Sequence, residues 1–592
     1  MKKHIFMLKM FYEVSPFQTL LISVQALLGV ATVFAGLKMS ESIVAMVMSG
    51  NSLPTILKSV AIIVGGVSVL LLVESFVRLK ITGLIARNRI GSLTKYLDTI
   101  VDTDYQNLID PHFQKKMEEV IMASSNDAEL FGVYVPHVIS FIQEGLKLLL
   151  LGSFLFVLDS RFLVLIVLLM VSTIIYRVYQ SKVVTAMRSD RADYIKKMEY
   201  LINQSGDFKV AKDMRLYGVK DWFNDIFQDL LNKANTSLRK SNLVVLFGQI
   251  LSGLLISLLT PYGYYVFIGS YMNYHMTLAS LTFYIGALTA ITGGMFSFIT
   301  SVFDLYQDTK EIAPIIEYFN YPCKFNHEAA PLNLGDITSI EFKNVSYTYP
   351  GSEKAVFTDF NLMVTGTQKI AVVGLNGAGK TTLAKLLCNL IKPDSGQIVI
   401  NGIDNQSVNV DEYYEYISVD FQEQFSMPIT IKETIVQTSQ YDEDKYQWAL
   451  KQSGVSSFLT NFEKGDHISL IKAFDEESAS LSGGQMQKLK LAQALYKDGS
   501  VLILDEPTAA LDPISESEIY QNYFELAKDK ISFFITHRLA STQFCDRIIY
   551  VDQGTIIEDG THDELLKQAG KYATLFDKQA FYYKEELNNE TI

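Results

Sequence analysis

The stretch KIAVVGLNGAGKTTLAKLLCNL, residues 369–390, passes from an apolar run through a glycine-rich turn into a helix-forming run. Within it, Gly374-Leu-Asn-Gly-Ala-Gly379-Lys380-Thr381 fits the phosphate-loop spacing G-x-x-x-x-G-K-[ST]. The glycines let backbone N–H groups turn inward around an anion, and the next helix points its positive end at it. In such a loop Lys380 reaches the β- and γ-phosphates and the Thr381 hydroxyl ligates Mg²⁺. Asn376, Gly377, Ala378 and Thr382 complete the cradle. The context is the required one, because the strand IAVV precedes the loop and a helical run follows it.

Outward from there, VLILDEP, residues 501–507, sets Asp505 at the end of a short buried strand, 125 residues after Lys380 (505 − 380). A strand-end carboxylate can hold the Mg²⁺ shell. Glu506 follows at once, and a second carboxylate there can orient or deprotonate water for attack on the γ-phosphate. The bland reading of a D-E pair is a solvated turn, which the upstream phosphate loop weakens. SIEFKNVSYTYP, residues 339–350, alternates like a strand. Strands alternating with helices predict an α/β domain with a largely parallel sheet over 335–592.

The first half reads differently. Six apolar runs lie at roughly 17–37, 53–77, 134–158, 161–180, 243–269 and 278–303. Most exceed the ~20 residues that cross a ~30 Å hydrocarbon core as a helix. Six in a row make buried core helices a poor alternative. Residues 1–304 are thus expected to form an all-α membrane domain of six helices, with 305–334 a polar linker containing Pro314, Pro322 and Pro331. Lys and Arg fix the orientation. Seven fall in 78–133 and thirteen in 177–242, while the opposite loops are nearly bare. Both termini, both long loops and the α/β domain are expected on the cytoplasmic side of a multi-pass cell-membrane protein. The tips of helices that continue out of the bilayer are expected at 98–111 and 205–221. Glu74, Glu144 and Lys147 stand inside the runs; Glu144 and Lys147 share a helix face and can neutralise each other, or contact a polar or charged substrate.

Composition agrees. The chain of 592 residues is 49% hydrophobic and 19% charged, which excludes a disordered polymer. Residues 1–334 carry 29 Lys+Arg against 26 Asp+Glu (+3), and 335–592 carry 22 against 38 (−16), giving the −13 total. An acidic second half argues against a nucleic-acid partner. Three cysteines suffice for neither a disulfide framework nor a closed zinc site, and suit a reducing interior.

Leu481-Ser482-Gly483-Gly484-Gln485 stands before the helical run MQKLKLAQALY, about 20 residues ahead of Asp505. A serine and two glycines opening a helix make a second anion cradle. With LSGGQ at that spacing, the chain resembles the ATP-binding cassette (ABC) transporter family over nearly its full length. The resemblance implies further roles. Tyr349 matches the aromatic that stacks on adenine, and Gln422 the glutamine that contacts Mg²⁺ or water. Asp512 matches the aspartate of the loop facing the partner domain, and His537 the histidine that contacts the γ-phosphate. Gln493 and Lys488 replace arginines common in the helix after the signature, and 473–480 lacks the glycine-and-glutamate pattern usual before it.

In the family, ATP is sandwiched between the phosphate loop of one subunit and the signature of another. The resemblance therefore implies a dimer of half-transporters. Retention of both Glu506 and an intact LSGGQ favours a homodimer over a heterodimer. It implies ATP-driven export of a peptide or an amphipathic small molecule, in the manner of bacterial lanthipeptide and multidrug exporters. Uptake by the same fold and a membrane-anchored ATP-dependent regulator are the alternatives. About 16 residues precede the first run, leaving no room for a leader peptidase there.

Overall fold

The computed structural model describes residues 2–126, 128–273, 275–325, 334–422, 429–471, 478–506, 523 and 527–579. The chain divides into two compact units, Met1–Thr99 with Lys116–Asn320, and Ile100–Lys115 with Tyr321–Ile592.

The helices begin with α1 (Lys2–Val14), α2 (Phe17–Met48), α3 (Leu53–Asp102), α4 (Tyr105–Leu108) and α5 (Pro111–Ser124). They continue with α6 (Leu130–Leu158), α7 (Arg161–Gly206), α8 (Phe208–Leu216), α9 (Lys220–Ser257), α10 (Leu259–Met272) and α11 (Leu278–Phe319). Six helices among the described residues are long and apolar enough to cross a membrane: α2, α3, α6, the first part of α7, α9 with α10, and α11. The break at Leu258 has a local cause, since Pro261 has no N–H to donate to the Ser257 carbonyl.

Within the first unit, Leu151 and Leu155 of α6 pack with Phe162 of α7, Phe267 of α10 and Ile291 of α11 in one fully buried cluster. Glu74 is buried and held by the Thr32 hydroxyl at 2.8 Å and by Arg78 at 2.9 Å. Lys147 Nζ lies 2.7 Å from Glu144 Oε1, so that pair neutralises itself on one helix face.

One expectation is corrected. Residues 305–319, read as the start of a linker, are the last four turns of α11. Pro314 inside the helix removes one backbone hydrogen bond. The burial of Ile312, Ile315 and Tyr318, and the hydrogen bond from Tyr318 Oη to the Tyr96 carbonyl at 3.1 Å, hold the helix together there.

The second unit is built on two sheets. One is antiparallel, in the order β2-β1-β4-β5, from β1 (Ser339–Tyr347), β2 (Phe357–Thr365), β4 (Ser395–Ile400) and β5 (Ile403–Asp404). The other runs β10-β9-β3-β8-β7-β6, from β3 (Lys369–Val373), β6 (Ile417–Asp420), β7 (Val501–Asp505), β8 (Ile531–Ile535), β9 (Arg547–Asp552) and β10 (Thr555–Gly560). Its inner pairs are parallel and only β10 runs against its neighbour. Alternation explains why these strands are continuously apolar. Ile370 and Val372 of β3 face one core with Leu383 and Leu387 of α12 (Lys380–Leu387). Ala371 and Val373 face the other, with Leu491 and Leu495 of the helix Gly483–Lys497.

The segment Ile100–Lys115 belongs to this second unit. Tyr105 and Ile109 pack on its core. Gln106 Oε1 accepts from Lys392 N at 3.1 Å, and Tyr321 Oη donates to Asp110 Oδ2 at 2.8 Å. Asp104 Oδ2 accepts from the Lys324 backbone N–H.

Candidate functional site

The carboxyl ends of β3, β7 and β8 open into a cleft of about 840 Å³, the place where parallel α/β sheets bind ligands. β3 turns there into Gly374, whose φ of 155° puts the backbone against β9. A Cβ on Gly374 would meet the Val551 carbonyl oxygen at 2.2 Å, so only glycine fits. Gly379, at φ 107°, caps α12, and a Cβ there would press on Phe357 at 2.9 Å. Gly377 and Asn376 line the cleft between them, and Ala378 is buried beneath.

Lys380 opens α12, and its Nζ donates to the carbonyls of Gly374 at 3.0 Å and Leu375 at 3.1 Å. Burial pulls its pKa down, while Glu506 and Asp505 act in the opposite sense. A cation closed onto the loop's own carbonyls is poised to exchange them for an anion's oxygens. Asp505 ends β7, where burial raises its carboxyl and a hydrogen bond with the Thr381 side chain lowers it. Its Oδ2 is buried without a hydrogen-bond partner. Thr382 also lines the cleft and shares a 3.1 Å hydrogen bond with Tyr349 Oη. The Tyr349 ring meets Tyr347 edge-on and lies 5.8 Å below the Lys385 ammonium, so one face is already used.

Glu506 adopts the left-handed conformation, φ 53°, which is uncommon away from glycine and turns its side chain off the strand end. Its backbone N–H still pairs with the Ile535 carbonyl of β8 at 2.9 Å. The carboxylate is gripped from two sides: Gln422 Nε2 donates to Oε2 at 2.8 Å, and His537 Nδ1 lies 3.1 Å from Oε1. Gln422 follows β6 and His537 follows β8, so neighbouring strands of one sheet deliver both.

The structure thus brings Tyr349, the phosphate loop, Gln422, Glu506 and His537 into one cleft, with Asp505 buried behind Thr381. It does not bring the signature there. Ser482 caps the helix Gly483–Lys497 through a reciprocal pair, its Oγ accepting from Gln485 N at 3.3 Å and its N–H donating to Gln485 Oε1 at 2.9 Å. Among the described residues lining the cleft, none of Ser482, Gly483, Gly484 or Gln485 appears. Asp512 lies outside the described residues.

Sequence reading missed Gln579. Its amide brackets the histidine's own backbone: Nε2 donates to the His537 carbonyl at 2.6 Å, and Oε1 accepts from Leu539 N at 2.9 Å. A lone glutamine 42 residues downstream carries no local signal for this.

Residues 357–509 match the model of the ABC transporter family. The chain is 29% identical over 396 residues to the subtilin transport ATP-binding protein SpaT of Bacillus subtilis, an alignment covering 65% of this chain and 62% of that protein. It is 34% identical over 242 residues to the ATP-dependent lipid A-core flippase of Escherichia coli (strain K12), covering 40% and 41%. The chain therefore spans less than two thirds of each of these relatives. Its fold is similar to a structure described as a bacterial Atm1-family ABC exporter with ATP bound, with a TM-score of 0.71 and 20% identity, covering 95% of this chain and 98% of that one.

Proposed function

We propose that the chain, whose residues 357–509 match the ABC transporter family, hydrolyses ATP to export a peptide or amphipathic small molecule across the cell membrane, working as a dimer of half-transporters. The observation that carries this is the grip of Gln422 and His537 on Glu506 in the same cleft as Lys380, with six membrane-length helices among the described residues.

The donor set fits Mg²⁺. Asp505 offers a buried oxygen without a partner beside the Thr381 hydroxyl, and hard oxygen ligands suit that ion. When bound there, with Gln422 within the same cleft, it would neutralise phosphate charge. Lys380 would leave the Gly374 and Leu375 carbonyls for the β- and γ-phosphate oxygens, and loop N–H groups would hold the rest. Glu506 would release one of its two partners to orient water and take its proton. His537, freed from the carboxylate, would face the γ-phosphate. Charge neutralisation and positioning supply the rate here. Tyr349 would present its free face to adenine.

Because the signature stands away from the cleft, a second copy would supply Ser482 to Gln485 across a two-fold axis, and Asp512 would face that partner. The intact Glu506 and LSGGQ support two equivalent chains. The segment Ile100–Lys115, keyed into the nucleotide-binding unit by Tyr105 and Gln106, would carry closure to the membrane helices. The relatives named for subtilin transport and lipid A flipping support an amphipathic cargo moving outward, and the Lys and Arg distribution supports cytoplasmic termini.

Inside-out proteoliposomes test the proposal. ATP-dependent accumulation of a labelled amphipathic peptide, absent with Glu506→Gln, is expected. ATP hydrolysis by the wild type without net movement of any peptide, lipid or drug in a broad panel would overturn export.

A further inference from the structure

In the first unit, α6, α7, α9 and α11 enclose a cavity of about 690 Å³ whose wall is charged. Glu129, Asp304, Asp308 and Glu311 supply carboxylates, and Arg177, Arg191 and His137 face them. His137 uses both ring nitrogens, Nδ1 at 3.0 Å from Asp308 and Nε2 at 3.9 Å from Asp304.

Arg177 is the anomaly. It is 9% exposed, and its Nε has no hydrogen-bond partner. Its guanidinium otherwise lies 3.5 Å from Gln180 Oε1 and 5.6 Å from the Phe296 ring centre. Among the described residues no carboxylate oxygen lies within ion-pair distance of it. A buried guanidinium without its anion is unfavourable, and a carboxylate offers it two parallel hydrogen bonds.

A second cavity of about 550 Å³ shares Arg177, Ser181 and Phe303 with the first. It is mainly apolar, walled by Ile174, Val178, Ile299 and Val302. Its charged residues are all cations: Arg177, Lys182 and Lys310. Arg177 therefore stands between an acidic chamber and an apolar one rimmed by positive charge.

We infer that these two cavities form the cargo site and select an amphipathic zwitterion, a short hydrophobic peptide with free ends. The cargo carboxylate pairs with Arg177, its ammonium enters the chamber of Asp304 and Glu311, and its apolar side chains fill the second cavity. A purely anionic ligand is repelled by the four carboxylates, and a purely cationic one leaves Arg177 unpaired. The amides of Gln180, Gln249 and Gln307 in the first cavity favour a peptide backbone over a lipid headgroup. This rests on the export reading for its meaning as cargo, but binding is measured without ATP and so stands or falls separately.

The test is equilibrium binding of a radiolabelled hydrophobic tetrapeptide to the full-length protein in nanodiscs, competed by the free, N-acetylated and C-amidated forms. Capping either end is expected to weaken competition at least about tenfold. Arg177→Gln should abolish discrimination against the amide while keeping that against the acetyl form, and Asp304→Asn should weaken the latter. Arg177→Lys, which keeps the charge, should retain selectivity for the free carboxylate. Equal competition by all three forms in the wild type overturns the inference, whatever the variants do. So does displacement of the peptide by phosphatidylethanolamine in the disc with no dependence on the peptide's ends.

Discussion

Glu506 Oε1 lies 3.1 Å from His537 Nδ1, while the other carboxylate oxygen accepts a hydrogen bond from Gln422. The carboxylate proposed to activate water is thus held by the two residues on either side of it in the sheet order. Its left-handed backbone is the geometric means, aiming the side chain into the cleft from the end of β7.

Replacement by an amide isolates the chemistry. Glu506→Gln keeps the volume and can still hydrogen-bond, but it cannot accept a proton. ATPase turnover is expected to fall about 10²–10⁴-fold, with nucleotide affinity unchanged within a factor of a few. Parallel measurement of turnover and of nucleotide binding checks this, and a wild-type rate in the variant refutes the role.

Asp505 should govern metal use. Asp505→Asn removes the charge from the one buried carboxylate oxygen near Thr381 that has no partner. The Mg²⁺ concentration for half-maximal ATPase is expected to rise about tenfold or more, with kcat reduced. A Mg²⁺ titration at saturating ATP reads it directly, and an unchanged curve contradicts the assignment.

Gln579 lines the cleft and brackets the His537 backbone, which predicts a positioning role. Gln579→Ala frees the His537 carbonyl and the Leu539 N–H together, and a loosened histidine predicts a kcat lower by about three- to tenfold with KM for ATP little changed. Gln579→Glu can still accept from Leu539 but cannot donate to His537, so its loss is expected to be comparable. A change confined to KM, or a full rate in both variants, contradicts a positioning role.

Much of this site was legible in the sequence because its chemistry is encoded locally. The glycine spacing of residues 374–379, the strand-end acids 505 and 506, and the Ser482–Gln485 cap each need only a few consecutive residues. What escaped reading depends on distant contacts. Gln579 meets His537 only after the last helix folds back, and His137 meets Asp308 across 171 residues. The continuation of α11 through Pro314 is a packing outcome that overrides the local signal. The tip expected at 98–111 falls largely in Ile100–Lys115, which packs within the second unit because Tyr105 and Ile109 find its core.

Asp420 carries a pH signature. Burial pushes its carboxyl up to about 7, against the hydrogen bond from Tyr523 at 3.0 Å that pulls it down. The folded state therefore keeps a proton that the unfolded chain gives up near pH 4, so this residue's contribution declines as pH rises from about 4 to about 7. Asp420→Asn removes that decline while an oxygen remains for Tyr523. At pH 8 the variant should be more stable than the wild type by about 1–4 kcal/mol and unfold at a higher temperature, and the gap should shrink toward pH 5. Thermal unfolding across that range checks it, and a gap that is constant or grows on acidification contradicts it.

Subunit complementation tests the shared ATP site most directly. Chains carrying Lys380→Ala lack the phosphate grip, and chains carrying Gly484→Asp lack the signature cradle, so each alone should be inactive. Co-expressed and purified together, they should recover about a quarter of the wild-type ATPase rate, since half of randomly formed pairs are mixed and each mixed pair holds one whole site. No recovery in the mixture, or full activity from isolated single chains, would contradict an ATP site shared between two copies.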